Sequence, residues 1–158
     1  MRKANKIAPE VKDGIHLNIG CGAKLWEGFV NIDFPSNWSK LKPDVECDVR
    51  ELPFPDEYAD SAYAIHVFEH FFRWESDDVL VEWKRVLKPG GQLIIEDVSI
   101  ETFENPLGRI FRRFFNHPYK TMYKREEFFS YLEKEGWHIA TRKIFHPLGF
   151  EYFIVIAA

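Results

Sequence analysis

The chain is poor in cysteine and methionine, with two of each among 158 residues. Cys21 and Cys47 are too few for a disulfide scaffold, so a reduced, cytoplasmic chain is expected, with both thiols as small packers. Long apolar runs are also missing. No segment is long and apolar enough to span a membrane, and the basic start (Arg2, Lys3, Lys6) lacks the apolar stretch of a signal peptide. Positive charge is not in excess either: the formal net charge is −4, which argues against a nucleic-acid binder as a whole and leaves any basic patch local. There is no internal repeat and no low-complexity segment. The length fits a single domain, 1–158, with 1–12 as a loose N-terminal arm.

Aromatic residues are plentiful, with 15 Phe and 5 Trp, enough for a dense core or an apolar substrate surface. The most informative stretch is Leu17-Asn18-Ile19-Gly20-Cys21-Gly22, followed by Phe29-Val30-Asn31-Ile32-Asp33. A β-prone run leads into a glycine pair, and a second short run ends in an acid. Gly20 and Gly22 let the backbone turn tightly beside a ligand. Asp33, at the carboxyl end of the second strand, can accept hydrogen bonds from both hydroxyls of a ribose.

Strands are expected at 15–20, 29–34, 45–49, 61–66, 92–98, 138–145 and 151–157. A helix should start at Ser76 as cap, with Asp77 and Asp78 in its first turn, Val79, Leu80, Trp83, Val86 and Leu87 on one face, and Pro89-Gly90-Gly91 as its stop. A second helix is expected from about Arg125 to Glu135, with Gly136 closing it. A third would begin at Asn105 and Pro106. Strands alternating with helices predict a mostly parallel sheet covered on both faces, a three-layer αβα architecture. The last two strands are too closely spaced for a crossover helix and should pair antiparallel. The fold class is therefore α/β, with seven strands of which one is reversed.

These motifs, in this order, resemble the class I S-adenosylmethionine-dependent methyltransferases, and among them the small single-domain, type 11-like members with a Rossmann-like sheet. Besides the glycine pair and Asp33, the run Cys47-Asp48-Val49-Arg50-Glu51-Leu52-Pro53-Phe54 is similar to the segment in which an Asp binds the adenine amine. The run from Asp60 to His70 resembles the fourth strand and its exit, and Trp83 to Gly91 resembles the family's helix-to-strand turn. The resemblance implies S-adenosyl-L-methionine as cofactor, bound by Gly20, Cys21, Gly22, Asp33, Phe34, Asp48, Val49, Leu52 and Ala64. One departure is large. Lys24 stands where a third glycine is usual, and only Ala23 to Phe29 separate the glycine turn from the second strand, so the first helix should shrink to a turn or a single helical turn. Lys24 or the N-terminal arm would then have to cover the cofactor's carboxylate.

His66-Val67-Phe68-Glu69-His70 also matches a zinc-protease pattern, but that pattern needs one helix presenting both histidines. Leaving a strand instead, it marks the border of cofactor and substrate, and His66, Glu69 and His70 are the candidate catalytic residues, with no metal expected. Glu69 and His70 could equally cap a following turn. Asn105-Pro106 lies after the wrong strand for the motif of amine-methylating members, which argues against DNA as substrate.

The segment 100–123 reads as a lid-like insertion. Its basic residues (Arg109, Arg112, Arg113, Lys120, with Lys124 and Arg125 beyond) alternate with Phe111, Phe114, Phe115, Tyr119 and Tyr123. The expected activity is methyl transfer to a small-molecule acceptor, at oxygen, with His66 or His70 as base. The rivals are an RNA or protein methyltransferase docking through the basic aromatic segment, and a degenerate domain that serves as an assembly partner. Oligomeric state is left open.

Overall fold

A computed structural model of the chain describes residues 13–35, 41–99, 123–145 and 152–157. Its strands are β1 (His16–Ile19), β2 (Val30–Asp33), β3 (Val45–Glu46), β4 (Ala59–Ile65), β5 (Leu87–Val98), β6 (Ile139–Phe145) and β7 (Tyr152–Ala157). They lie side by side in the order β3-β2-β1-β4-β5-β7-β6. The first five run parallel, with Leu17 opposite Val30 and Ala62, and Ile94 opposite Tyr63. β7 runs antiparallel to both β5 and β6. The strand order reverses beside β1, between β2 and β4. In an open α/β sheet the crevice at the carboxyl ends of such strands is where ligands bind.

One face of the middle of the sheet is apolar, and both described helices pack on that face. Leu17, Ile19, Ile32, Ala62, Ala64, Leu93 and Ile95 are fully buried. Helix α1 (Arg73–Val86) lays Val79, Leu80, Trp83 and Val86 into this core. It begins three residues before Ser76, which corrects the expected cap. Phe72 is the capping position, and Glu75 Oε2 accepts its backbone N–H at 2.8 Å. Ser76 is wholly buried, with its hydroxyl 3.1 Å from that of Tyr123. A serine followed by two aspartates is a good cap signal, but here the aromatic pair Phe71-Phe72 enters the helix a turn earlier and Glu75 answers the open amide.

Helix α2 (Arg125–Lys134) buries Phe128, Phe129 and Leu132, and Gly136 closes it at φ +78°. Phe68 sits where these parts meet, 5.0 Å from the Phe128 ring centre and 6.1 Å from that of Trp83. Tyr123, expected in the lid, belongs to this cluster and is 7% exposed. The arm 1–12, the helix at Asn105 and the rest of the lid fall outside the described residues.

Two helix residues hold the loop after β3 in place. Trp83 Nε1 donates to the Val49 carbonyl at 2.9 Å, and Glu82 Oε1 accepts the Leu52 amide at 2.6 Å. Arg85 adds bonds to the carbonyls of Leu52 and Phe54. β3 itself stops at Glu46, three residues short of the expected end, so Asp48 and Val49 lie on this clamped loop. No helix separates β1 from β2. Residues 20–29 are turns, which carries the expected shortening of the first helix to its limit.

Candidate functional site

A cavity of about 530 Å³ opens at the carboxyl ends of β1 to β4. That lies within the few hundred to a thousand Å³ usual for small-ligand sites. Its floor is the glycine turn. Gly20 has φ +64°, and a Cβ there would sit 2.5 Å from Val67 Cγ2. Both the conformation and the space therefore demand glycine. Gly22 has φ +53° but open space around its α-carbon, so it needs glycine for conformation alone. Cys21 N–H donates to the Ile32 carbonyl at 2.9 Å, which ties the turn to the end of β2. Burial, helped by the nearby Asp33, pushes the Cys21 thiol up to about 12, so it is a packing group and not a nucleophile.

Asp33 ends β2 with its carboxylate aimed by backbone amides. Gly22 N–H donates to Oδ2, and Phe34 N–H to Oδ1 at 2.7 Å. A carboxylate oxygen has two lone pairs, so one on each atom stays available for a diol. Phe34 is 60% exposed and lines the cavity beside it.

Behind this floor lies a pair of asparagines that the sequence reading overlooked. Asn18 and Asn31 are adjacent on β1 and β2, and both are buried. Asn18 Nδ2 donates to Asn31 Oδ1 at 2.9 Å and to the Lys24 carbonyl at 2.8 Å. Asn31 Oδ1 also accepts the Trp26 amide at 2.8 Å. The pair stands in for a helix by fixing the 20–29 loop through its own amides and carbonyls. Asparagine is depleted in strands, and two at matching positions were the available signal.

Asp48 lines the cavity from the loop after β3, but it is not bare. Arg50 Nη2 lies 2.6 Å from Asp48 Oδ2, and Arg50 Nη1 lies 2.5 Å from Glu75 Oε1 on α1. The Arg50 hydrogen bonds hold the Asp48 carboxyl below the usual carboxylate range. Arg50 and Glu75 are thus site residues that motif reading did not single out. Val49 lines the cavity, whereas Leu52 and Ala64 do not. Leu52 is core beneath the α1 clamp, and Ala64 is fully buried inside β4. Both motif positions are thus occupied by core residues.

On the far wall, β4 ends at Ile65 and His66 follows with φ +58°, a left-handed conformation costly for a residue with a side chain. Its amide donates to the Glu96 carbonyl of β5 at 2.8 Å. His66 Nδ1 is 3.7 Å from Glu69 Oε2, and His66 Nε2 is 3.9 Å from Glu96 Oε1. Burial lowers the His66 pKa, and the nearby Asp97 and Glu96 oppose the shift. His66 and His70 line the cavity; Glu69 is buried behind them, its amide bonded to Asp97 Oδ2 at 3.0 Å.

Ligand atoms of His66, Glu69 and Asp97 lie within 4.8 Å of one another, a set that could hold a divalent ion. The 3-10 turn Phe68–His70 does not present two histidines from one helix face, so the zinc-protease geometry is not formed.

The comparisons agree with this geometry. The family model of a methyltransferase domain matches residues 17–95. The chain belongs to this family, the class I S-adenosylmethionine-dependent methyltransferases, and its cofactor is S-adenosyl-L-methionine. Among curated proteins it is similar to the ubiquinone/menaquinone biosynthesis C-methyltransferase UbiE of Bordetella avium, 40% identical over 62 residues, covering 37% of this chain and 22% of that protein. The same enzyme of Burkholderia mallei is 37% identical over 62 residues, covering 37% and 24%. The chain thus spans less than a quarter of the length of these relatives.

The fold is shared with a SAM-dependent methyltransferase of Methanosarcina mazei, with TM-score 0.69, 16% identity and coverage of 94% and 93% of the two chains. It is shared too with the 1,6-didemethyltoxoflavin-N1-methyltransferase of Burkholderia thailandensis, solved with S-adenosylhomocysteine, at TM-score 0.65, 15% identity and coverage of 91% and 70%.

The donor set fits the cofactor. Sheet order β3-β2-β1-β4 sets Asp48, Asp33, the glycine turn and His66 in a row. Three strand gaps make that row roughly 14 Å long. Such a row suits an extended ligand with an adenine at one end and a reactive methyl at the other.

Proposed function

We propose that this methyltransferase moves a methyl group to an oxygen of a small-molecule acceptor, with His66 as the general base. The observation carrying this reading is a partly exposed imidazole on the cavity wall that burial keeps neutral, at the β4 end of the cofactor row. A neutral imidazole can accept a proton from a hydroxyl as the hydroxyl attacks. Bound in the cavity, S-adenosyl-L-methionine supplies a methyl already activated on a sulfonium sulfur, so the chain's task is alignment and proton removal.

In this reading Asp33 holds the ribose, the Gly20–Gly22 turn admits the sulfur-bearing chain, and Phe34 flanks the adenosine. Asp48 and the Val49 amide face the adenine. His70 borders the acceptor, and Glu69 positions the two rings from behind at 3.7 Å and 3.9 Å. The C-methyltransferase relatives match over too short a stretch to carry their acceptor chemistry across.

The test is to supply methyl-labelled cofactor with pools of phenols, carboxylic acids and amines, and to identify the methylated atom. O-methylated product, with His66→Ala slowed by about 10²–10⁴-fold and cofactor affinity retained, supports the proposal. Carbon or nitrogen products, or a His66→Ala enzyme of wild-type rate, would overturn it. Tight cofactor binding with no acceptor in any pool would favour the non-catalytic rival.

A further inference from the structure

We propose that the Lys24 ammonium grips the α-carboxylate of the cofactor's methionyl group, doing the work of the helix N-terminus that this chain lacks. The idea rests on S-adenosyl-L-methionine being the ligand of the cavity, and it assigns an end of that ligand which Asp33 and Asp48 leave unserved.

A carboxylate leaving water needs a cation or several converging amides. A helix following the glycine turn would offer open amides and a favourable dipole, but residues 20–29 form no helix. The loop's amides are largely committed elsewhere. Cys21 N–H goes to the Ile32 carbonyl, Gly22 N–H to Asp33, Lys24 N–H to the Cys21 carbonyl and Trp26 N–H to Asn31 Oδ1. Of the loop residues that line the cavity, Gly20 to Lys24, Lys24 is the one that carries a cation.

The other strong cation there, Arg50, is held by Asp48 and Glu75 at the adenine end. Lys24 is in no ion pair among the described residues. Its backbone is fixed at both polar groups, the amide by Cys21 and the carbonyl by Asn18 at 2.8 Å, so the side chain departs from a rigid base. Lys24 lines the same cavity as the glycine turn after β1 and His66 after β4, so a methionyl tail lying between those two would run within its reach.

The test compares two ligands by calorimetry. S-Adenosylhomocysteine carries the amino-acid tail; 5′-methylthioadenosine keeps the adenosine and the sulfur and lacks it. Lys24→Met should weaken S-adenosylhomocysteine by about tenfold or more, the loss of one charge-assisted hydrogen bond, while methylthioadenosine stays within twofold. Lys24→Arg should retain most of the affinity.

Unchanged S-adenosylhomocysteine affinity in Lys24→Met would overturn the proposal. Equal weakening of both ligands would do so too, since Lys24 would then be shaping the turn. A wild-type protein that bound neither ligand would remove the cofactor reading itself, a failure visible before any variant is made. Matching thermal midpoints for the three proteins would show that the loop still folds.

Discussion

The two sides of the cavity hold their acids differently. Toward β2 and β3, each carboxylate meets donors at hydrogen-bond distance: Asp33 takes amides from Gly22 and Phe34, and Asp48 takes the Arg50 guanidinium. Toward β4 and β5, Asp97 Oδ2 takes the Glu69 amide at 3.0 Å, while the carboxylates of Glu69 and Glu96 stand 3.7 Å and 3.9 Å from the His66 ring. Short contacts preorganise a binding surface, since a carboxylate already aimed loses little freedom when the ligand arrives. At the longer contacts around His66, burial is the main influence on the ring's resting protonation state. On the proposed function, the first wall recognises the cofactor and the second carries the reaction.

The sharpest way to break the binding wall is at its floor. Gly20→Ala adds left-handed strain and a contact of 2.5 Å with Val67, and it should cost about 2–4 kcal/mol of stability. Gly22→Ala adds the strain without the clash and should cost about 1–2 kcal/mol. Chemical denaturation of the two variants measures the difference. Equal losses would mean that Val67 yields to the new methyl.

Next in size is Asp33→Ala, which removes a charged acceptor of two hydroxyls and should weaken S-adenosylhomocysteine by about 1.5–3 kcal/mol in calorimetry. Wild-type affinity would remove the ribose assignment.

A smaller effect is expected at the adenine end. Asp48→Ala should lower the preference for adenosyl over inosyl forms of the cofactor by about 0.5–1.5 kcal/mol, one neutral-scale hydrogen bond. Arg50 already occupies much of that carboxylate, which is why the effect should fall below that of Asp33. If Asp48→Ala weakened both forms equally, the Asp48–Arg50 pair would be supporting the loop and not reading the base.

How much of this could be read from residues alone depended on how many jobs each residue type can do. A glycine pair after an apolar run and an acid ending the next strand have few uses together, and Gly20, Gly22 and Asp33 stand where the sequence placed them. The parallel sheet followed from strands alternating with helices. Side-chain pairings left no such trace. That Arg50 folds back on Asp48 and across to Glu75 is set by α1, twenty-five residues away from Arg50. Leu52 and Ala64 share motifs with cavity-lining neighbours, and only burial separates the two kinds. Ser76 misled because its local signal was real but weaker than the aromatic packing of Phe68 and Phe71, before the helix, on Trp83 within it.

The smallest expected effect is a shift along the pH axis, and it tests the reacting wall. Burial sets the His66 pKa in the folded protein below the ordinary histidine value of about 6.5, so the ring stays neutral to lower pH than a free histidine would. As pH falls the unfolded chain takes up this proton first. The stability linked to His66 is intact above about pH 6.5 and is lost as pH drops through the lower, folded value. The transfer rate should fall on the same acid limb, because a protonated ring cannot act as base. The neighbours give the limb a sign. Glu96→Gln removes a charge that favours the protonated ring and should move the limb to lower pH. Lys24→Met removes a charge that disfavours it and should move the limb to higher pH. Rate profiles of the wild type and both variants, repeated after EDTA dialysis to show that no metal is needed, measure this. Identical limbs in all three would mean that the titrating group is not His66, and the search for the base would pass to His70.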